Sequence, residues 1–177
     1  MNTVIQKPLS KIIIKDARVI DKDQDRTASV IISGGIIEDV TAGLPDLDFL
    51  SDYEIIDAKG LALMPAMVDL HCHFREPGYE YKEDILSGLK AAVKGGYCYV
   101  AAMANTSPAA DNLSIINRNN IKARKANLCM FSQISAIGQN LEDINLVDVP
   151  NISKAAKIFS NDGKSIFNDE FMEQALL

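Results

Sequence analysis

Short apolar runs separated by turns that contain glycine or aspartate occupy the first 65 residues of the chain. Runs of this length that are rich in isoleucine and valine are typical of strands. Gly34-Gly35 and Lys59-Gly60 follow such runs and predict tight turns. The predicted strands cover residues 11–14, 17–20, 29–32, 36–40, 53–57 and 61–64. We therefore expect residues 1–65 to form the N-terminal portion of a small β-sandwich domain, with an acidic loop over 43–52.

After Pro65, apolar runs alternate with stretches of helical periodicity. Residues 66–74 (AMVDLHCHF) predict a buried strand, and the apolar spacing over 81–94 predicts a helix that Gly95-Gly96 ends. Further strands are predicted at 97–103, 127–134 and 155–160, and further helices at 111–126 and 169–177. This alternation is the pattern of βαβ units around a parallel sheet.

The second segment, residues 66–177, has room for about four βα units, whereas a complete (β/α)8 TIM-like barrel needs about 250 residues. The pattern alone is compatible with half of such a barrel or with a smaller open α/β sheet. In either case the fold class is α/β, preceded by the small β-sandwich domain.

The composition of the chain argues against several classes of function. Hydrophobic residues make up 47% of the chain and charged residues 24%, which is typical of a globular protein. The net charge is −6 and no basic stripe is present, which argues against nucleic-acid binding. The apolar runs are too short for a membrane span, and the N-terminus does not have the pattern of a signal peptide. We therefore expect a cytoplasmic protein without membrane or nucleic-acid partners.

Chemistry is concentrated at the end of the strand predicted over 66–74. Because strand side chains alternate in direction, Asp69, His71, His73 and Arg75 are expected on one side and Cys72 on the other. Two imidazoles on one face, roughly 6.5–7 Å apart at the backbone, reach a common metal ion. The H-x-H pattern by itself is a weak signal and is more often a coincidence or a polar surface pair than a metal site. The end of a parallel strand, however, is where barrel active sites are built.

The stretch from Pro65 to Asn112 resembles the signature region of dihydroorotases, which belong to the zinc-dependent amidohydrolase superfamily. The matching elements are V-D-x-H-x-H-x-R-E-P-G, Y-K-E-D-I-x-S-G, A-A-x-x-G-G, N-T-x-P and D-N. Allantoinases and hydantoinases share the H-x-H strand, but they do not usually share the other elements together. The distinctive match covers roughly a quarter of the chain.

The resemblance implies a zinc site and a clamp for a substrate carboxylate. It implies that His71 and His73 bind the first Zn2+, and that Arg75 and Asn105 hold the carboxylate. Asp162 matches the second aspartate of the family's D-D-G turn, which makes it a candidate metal ligand. The resemblance allows one or two Zn2+ ions in a full-length subunit.

Each of these residues also has a structural interpretation. Arg75 can form a surface salt bridge with Glu76 or Glu83, Asn105 can occupy a turn, and Asp162 can form an Asx turn before a glycine. Asn161 stands where the family usually has the first aspartate of the turn. Asp69 is expected on the same side of the strand as the two histidines, which suits it to support one of them. Lys157 and Lys164 are interpreted as solvated charges.

The sequence contains only two histidines, so the family's remaining histidine ligands are absent from these 177 residues. The general acid/base, an aspartate in the family, is expected beyond Leu177. We therefore expect a fragment of a protein of about 400 residues, inactive by itself.

Three functions remain open. The first is dihydroorotase, which interconverts dihydroorotate and N-carbamoyl-aspartate in pyrimidine synthesis. The second is a non-catalytic dihydroorotase-like subunit that partners aspartate carbamoyltransferase. The third is a cyclic amidohydrolase of the hydantoinase or allantoinase type. The expected partners are the small-molecule substrate, a second copy in a homodimer, and aspartate carbamoyltransferase.

Overall fold

The computed structural model describes residues 11–44 and 51–177. The chain divides into two compact units, residues 1–65 and 66–177. Of the predicted acidic loop over 43–52, residues 45–50 lie outside the described residues. Each unit is described separately below.

The described residues of unit 1 form one five-stranded sheet. Its central path runs in the order β3-β2-β1-β4, and β5 also pairs with β1. Its strands are β1 Ile12–Ile20, β2 Asp25–Ser33, β3 Ile36–Thr41, β4 Glu54–Asp57 and β5 Ala62–Leu63. The Gly34-Gly35 turn is confirmed, since both glycines have positive φ, 61° and 79°, between the antiparallel strands β2 and β3. Within the described residues the strands form a single sheet, so the second layer of the predicted sandwich stays a prediction.

The two predicted strands at 11–14 and 17–20 are one strand, β1, interrupted by a bulge. Its register against β2 shifts between Ile14 and Ala17, and Asp16 has a φ of 56°. The Asp16 N–H donates to Ser29 Oγ at 3.2 Å in place of the regular ladder bond. The polar Lys15-Asp16 pair therefore bends the strand instead of ending it.

Unit 2 contains a parallel sheet in the order β6-β7-β8. Its strands are β6 Met67–Cys72, β7 Tyr97–Ala102 and β8 Met130–Gln133. Its helices are α1 Ile85–Lys94, α2 Leu113–Ala126, α3 Val149–Ile152 and α4 Asp169–Leu176, with a 3-10 turn at Gln139–Leu141. The strand–helix alternation predicted from the sequence is present from β6 to β8.

The prediction of a fourth strand over 155–160 is wrong, since this segment forms only a single parallel bridge between Phe159 and Ser135. Around that bridge, Ser135 N–H donates to Ile158 C=O and Ser160 N–H donates to Ser135 C=O. The segment before the bridge turns towards α2, where Ala155 C=O accepts from Asn120 Nδ2. The segment therefore pairs with the chain just past β8 at a single residue instead of forming a ladder with it.

The prediction that residues 66–74 form a buried strand is also wrong in its burial. Val68 is 55% exposed and Leu70 is 58% exposed, although both are large and apolar. β6 is an edge of the described sheet and pairs only with β7. An apolar edge strand of a parallel sheet is normally covered on both faces.

Helix α1 begins at Ile85 and not at residue 81, where the sequence predicted its start, because Asp84 caps the helix. The Asp84 carboxylate accepts from the Ser87 N–H, and the Asp84 N–H donates to the Ser87 hydroxyl. This reciprocal pair of bonds is a capping box. Gly88 faces the ring of Phe74, where an added Cβ would lie 2.6 Å from ring carbons. The close contact packs α1 onto the residue that follows His73, in a core cluster with Ile85, Leu89 and Val100.

None of the helices in residues 11–44 and 51–177 is long and apolar enough to span a membrane.

Candidate metal centre

Three side chains that could bind a metal ion converge beyond the end of β6. His71 Nε2 lies 3.4 Å from Asp162 Oδ1, and His73 Nε2 lies 3.5 Å from Asp162 Oδ2. The two imidazole rings meet edge to face, with centroids 5.3 Å apart. One ligand atom from each of the three residues lies within 4.8 Å of the other two. The side chains are 56%, 28% and 26% exposed for His71, His73 and Asp162, so the cluster is open to solvent on the His71 side.

Asn105 joins two members of the cluster and fixes the tautomer of His73. Asn105 Nδ2 donates to Asp162 Oδ2 at 3.2 Å, and Asn105 Oδ1 lies 2.9 Å from His73 Nδ1. An ionised carboxylate only accepts, so the amide nitrogen must face Asp162 and the amide oxygen must face His73. In the neutral imidazole of His73 the proton is therefore on Nδ1, and the Nε2 lone pair is directed at the cluster. This is how a metal-binding histidine is oriented by a neighbouring acceptor.

Asp162 reaches the histidines from the turn that follows the Phe159 bridge. Its N–H donates to Ser160 Oγ at 3.1 Å, and Gly163 behind it has a φ of 90°. An added Cβ on Gly163 would lie 3.2 Å from Asn105 Nδ2. The glycine therefore keeps the turn close to Asn105, and the Asp162 carboxylate bonds to Asn105 across the site.

Asn161, which stands in place of the family's first aspartate, has a structural role. It is buried, and its Oδ1 accepts from the N–H groups of Ile137 and Gly138 at 2.9 and 3.2 Å. Its Nδ2 donates to Leu141 C=O at 3.3 Å. An aspartate could not make the last of these bonds, since a carboxylate has no donor.

Asp69 and Cys72, on the strand itself, stay outside the cluster. Asp69 Oδ1 accepts from the backbone N–H of His71 at 2.9 Å, so it supports the main chain of His71 and not its ring. Cys72 packs against the cluster that contains Phe74 and Leu89, and its Sγ donates to Ala101 C=O at 3.3 Å. Burial raises the pKa of the Cys72 thiol to about 12, and the charge of Asp69 adds to the rise. The thiol is therefore protonated at neutral pH.

Arg75 lies just past the strand and departs from its alternation. β6 ends at Cys72, and Arg75 has a φ of 45°, so strand parity does not determine where its side chain points. Within residues 11–44 and 51–177 the guanidinium makes no hydrogen bond or ion pair. The salt bridge considered from the sequence is not formed, because Glu76 pairs with Lys122 and Glu83 accepts from the Ser87 hydroxyl.

A cavity of about 400 Å³ borders the cluster, and Asn105 and Gly163 form part of its wall. Tyr79, Ser107 and Lys164 also line it. Sequence reasoning missed Tyr79, although its position directly after the R-E-P-G element was a signal. Lys164 is exposed as expected, and its Nζ donates to Asn140 C=O at 3.3 Å.

The donor set fits a divalent transition metal. Two imidazole nitrogens and one carboxylate oxygen are the ligands that zinc takes in catalytic sites, where a further position stays open. The open side at His71 would leave such a position available.

Comparison with solved structures defines the class of fold. The L-hydantoinase (dihydropyrimidinase) from Arthrobacter aurescens superposes with a TM-score of 0.72 at 20% identity, over 94% of this chain and 37% of the hydantoinase. A D-hydantoinase superposes with a TM-score of 0.64 at 19% identity and similar coverage. The chain therefore has the fold of part of these hydantoinases.

Sequence comparison defines the family. The sequence model of the family described as dihydro-orotase-like matches residues 60–176. The dihydroorotases of Trichlorobacter lovleyi and Geotalea daltonii are 37% and 38% identical to this chain over 168 residues. The dihydroorotase of Aquifex aeolicus is 32% identical over 169 residues. The chain belongs to the dihydro-orotase-like family, and it spans 39% of the length of each of these relatives.

Proposed function

We propose that this chain supplies the first metal-binding half of a dihydroorotase. The reaction is the reversible hydrolysis of the cyclic amide of dihydroorotate to N-carbamoyl-aspartate, a step of pyrimidine synthesis. The observation that carries the proposal is the convergence of His71, His73 and Asp162 at the end of a parallel strand. The similarity to curated dihydroorotases over 93% of the chain supports it.

The architecture proposed for the complete protein follows the same similarity. Residues 1–65 would be the N-terminal portion of a small β-sandwich domain, and residues 66–177 the first half of a (β/α)8 barrel. The parallel order β6-β7-β8 and the hydantoinase-like fold support this proposal.

In this site His71, His73 and Asp162 would hold zinc. When bound, the metal supplies Lewis-acid chemistry that activates water and polarises the amide carbonyl. Asn105 keeps His73 in the tautomer that binds metal and holds Asp162 in place. The chain has no third histidine, so the rest of the ligand set and the general acid/base must come from elsewhere.

Arg75 and Asn105 would recognise the carboxylate of the substrate. The guanidinium of Arg75 has no competing partner in the described residues, and its planar fork matches a carboxylate. Asn105 Nδ2 has two hydrogens, of which Asp162 takes one, so the second remains available to the substrate. A carboxylate-binding pair favours dihydroorotate over a simple hydantoin, which has no carboxylate.

The alternative of a non-catalytic subunit is less well supported. The three candidate ligands are present and converge, and the Arg75 guanidinium has no competing partner in the described residues. Assembly into a homodimer or with aspartate carbamoyltransferase stays a prediction.

Zinc binding by the chain itself tests the metal assignment. We expect wild type to bind one zinc ion, and His73→Ala to lower the affinity by at least about tenfold, because one of three ligands is lost. Asp111→Asn, which changes a carboxylate outside the cluster, is the matched control. Competition with a chromophoric chelator gives the affinities, and equal affinity in His73→Ala and wild type would refute the assignment.

Activity is tested in a chimera that joins residues 1–177 to the remaining part of the Geotalea daltonii dihydroorotase. We expect hydrolysis of dihydroorotate but not of hydantoin, with turnover lost in His73→Ala. Arg75→Ala should raise KM for dihydroorotate with zinc still bound. Turnover of hydantoin in preference to dihydroorotate would support the hydantoinase alternative instead.

A further inference from the structure

We infer that Glu76 is a positioning residue that sets Arg75 relative to Asn105 through a buried polar bridge to helix α2. The inference rests on the proposed function, in which Arg75 and Asn105 bind the substrate carboxylate. It adds residues that the substrate does not touch, namely Glu76, Asn119, Lys122 and Gln133. Three observations support it: the fixing of Glu76, the link through Asn119, and the contact between the two loops.

Glu76 is held from two directions. It is only 8% exposed, and both of its carboxylate oxygens accept from Lys122 Nζ, at 2.8 and 2.7 Å. Glu76 Oε2 also accepts from the Ile85 N–H at the start of α1, at 3.0 Å. A buried carboxylate with a charged partner and a backbone donor is held firmly, since losing either leaves an unpaired group. The residue next to Arg75 is therefore fixed to two helices.

Asn119 links this point to the strand that leads to Asn105. Its side chain is fully buried, and Nδ2 donates both to Glu76 C=O at 3.1 Å and to Gln133 Oε1 at 2.8 Å. Gln133 Nε2 in turn donates to the C=O groups of Ala102 and Met103, at 3.0 and 3.3 Å. Asn105 lies two residues after Met103. Two side-chain amides, those of Asn119 and Gln133, thus connect the backbone beside Arg75 to the end of β7.

The two loops also contact each other. The Ser107 N–H donates to Pro77 C=O at 2.9 Å, and a Cβ on Gly78 would lie 2.0 Å from Ser107 O. The loop that carries Arg75 and the loop that carries Asn105 are therefore packed as one body over α2.

Arg75 depends on this support because nothing in the described residues holds its side chain. Its C=O accepts from the Tyr79 N–H at 3.0 Å, which closes the turn around Glu76. The point from which the Arg75 side chain extends is then set by the backbone at Arg75, and Glu76 fixes that backbone.

Hydrogen exchange of the Tyr79 amide tests the inference in the chain itself, without any ligand. We expect Glu76→Gln to accelerate this exchange by about tenfold, because the charged bond to Lys122 is lost and the turn opens more often. The Val147 amide, bonded to Ile137 C=O in the same unit, should be unchanged. Unchanged exchange at Tyr79, or equal acceleration at both amides, would overturn the inference.

Two further variants keep the test decisive if Glu76→Gln is poorly folded. Lys122→Met should accelerate Tyr79 exchange, and Lys122→Arg, which keeps the charge and the donors, should restore it. Lys122 side-chain exposure of 45% makes both substitutions tolerable. A failure of Lys122→Met to alter Tyr79 exchange would count against the inference in the same way.

Binding of L-dihydroorotate to the zinc-loaded chain separates this inference from the proposed function. If Glu76 acts through Arg75, Glu76→Gln should weaken binding in wild type by several-fold and have no further effect in an Arg75→Met background. Equal losses in both backgrounds would overturn the positioning role. Binding that Arg75→Met leaves unchanged would refute the proposed carboxylate clamp, while the exchange measurements still decide how Glu76 acts on its loop.

Discussion

Gly78 shows how one position brings two loops of the site together. Its φ is 94°, and Ser107 C=O occupies the space where a side chain would begin. The R-E-P-G element therefore needs glycine for two reasons, backbone conformation and close approach. Asn161 shows a comparable constraint, because its buried amide both donates and accepts.

Gly78→Ala should destabilise unit 2 by roughly 2–4 kcal/mol, since the left-handed backbone and the clash with Ser107 add together. Gly96→Ala is the matched control, because Gly96 has a similar φ of 84° but its Cβ would meet only Met67 at an ordinary 3.5 Å. Urea unfolding measures the free energy of unfolding of both variants. Equal losses in the two variants would show that the Ser107 contact contributes nothing.

At the level of elements, the caps determine where the helices of unit 2 begin. Asp84, Asn112 and Asn168 each accept a backbone N–H from the first turn of α1, α2 and α4. The hydrogen bond from the Ser87 N–H holds the pKa of Asp84 below its ordinary value. Because the pKa is lowered, the ionised form stabilises the helix.

Asp84→Ala should lower the free energy of unfolding by about 1 kcal/mol at neutral pH. The part of this difference that comes from ionisation is fully present above the ordinary pKa of 3.8 and falls as the pH drops through the lowered folded value. Asp84→Asn keeps an acceptor without the charge, so at neutral pH it should lose only the part of the difference that comes from ionisation. Thermal unfolding from pH 7 to pH 3 measures this, and a difference that grows on acidification would contradict it.

At the scale of the whole molecule, the edge strand β6 has an exposed apolar face. Val68 and Leu70 are two residues apart and both more than half exposed, which is unusual for a strand of a parallel sheet. In the proposed complete barrel this face would be covered.

We expect the isolated chain to self-associate through this face. Val68→Ser combined with Leu70→Ser should reduce association, because the apolar area is removed from an unpaired edge. Ile144→Ser, at an exposed loop residue, is the control. Sedimentation velocity over a range of concentrations measures the effect, and a wild-type chain that stays monomeric at about 100 μM would contradict the expectation.

The sequence by itself determined what depends on local patterns. Apolar periodicity predicted α1 and α2, although the Asp84 cap starts α1 four residues later than predicted. The Gly95-Gly96 pair predicted the end of α1, and the Gly34-Gly35 pair predicted its turn. The H-x-H spacing placed His71 and His73 as neighbours, because positions two apart in a strand share a side. The motifs from Pro65 to Asn112 were sufficient for the family.

Tertiary structure decided what depends on distant parts of the chain. Asp162 is about 90 residues from the histidines, and only folding brings it beside them. Folding also showed that Asn105 bridges His73 and Asp162 and that the predicted fourth strand is a single bridge. Such contacts depend on which loops pack together, and loop packing is set by long-range hydrogen bonds and close approaches that no local pattern encodes.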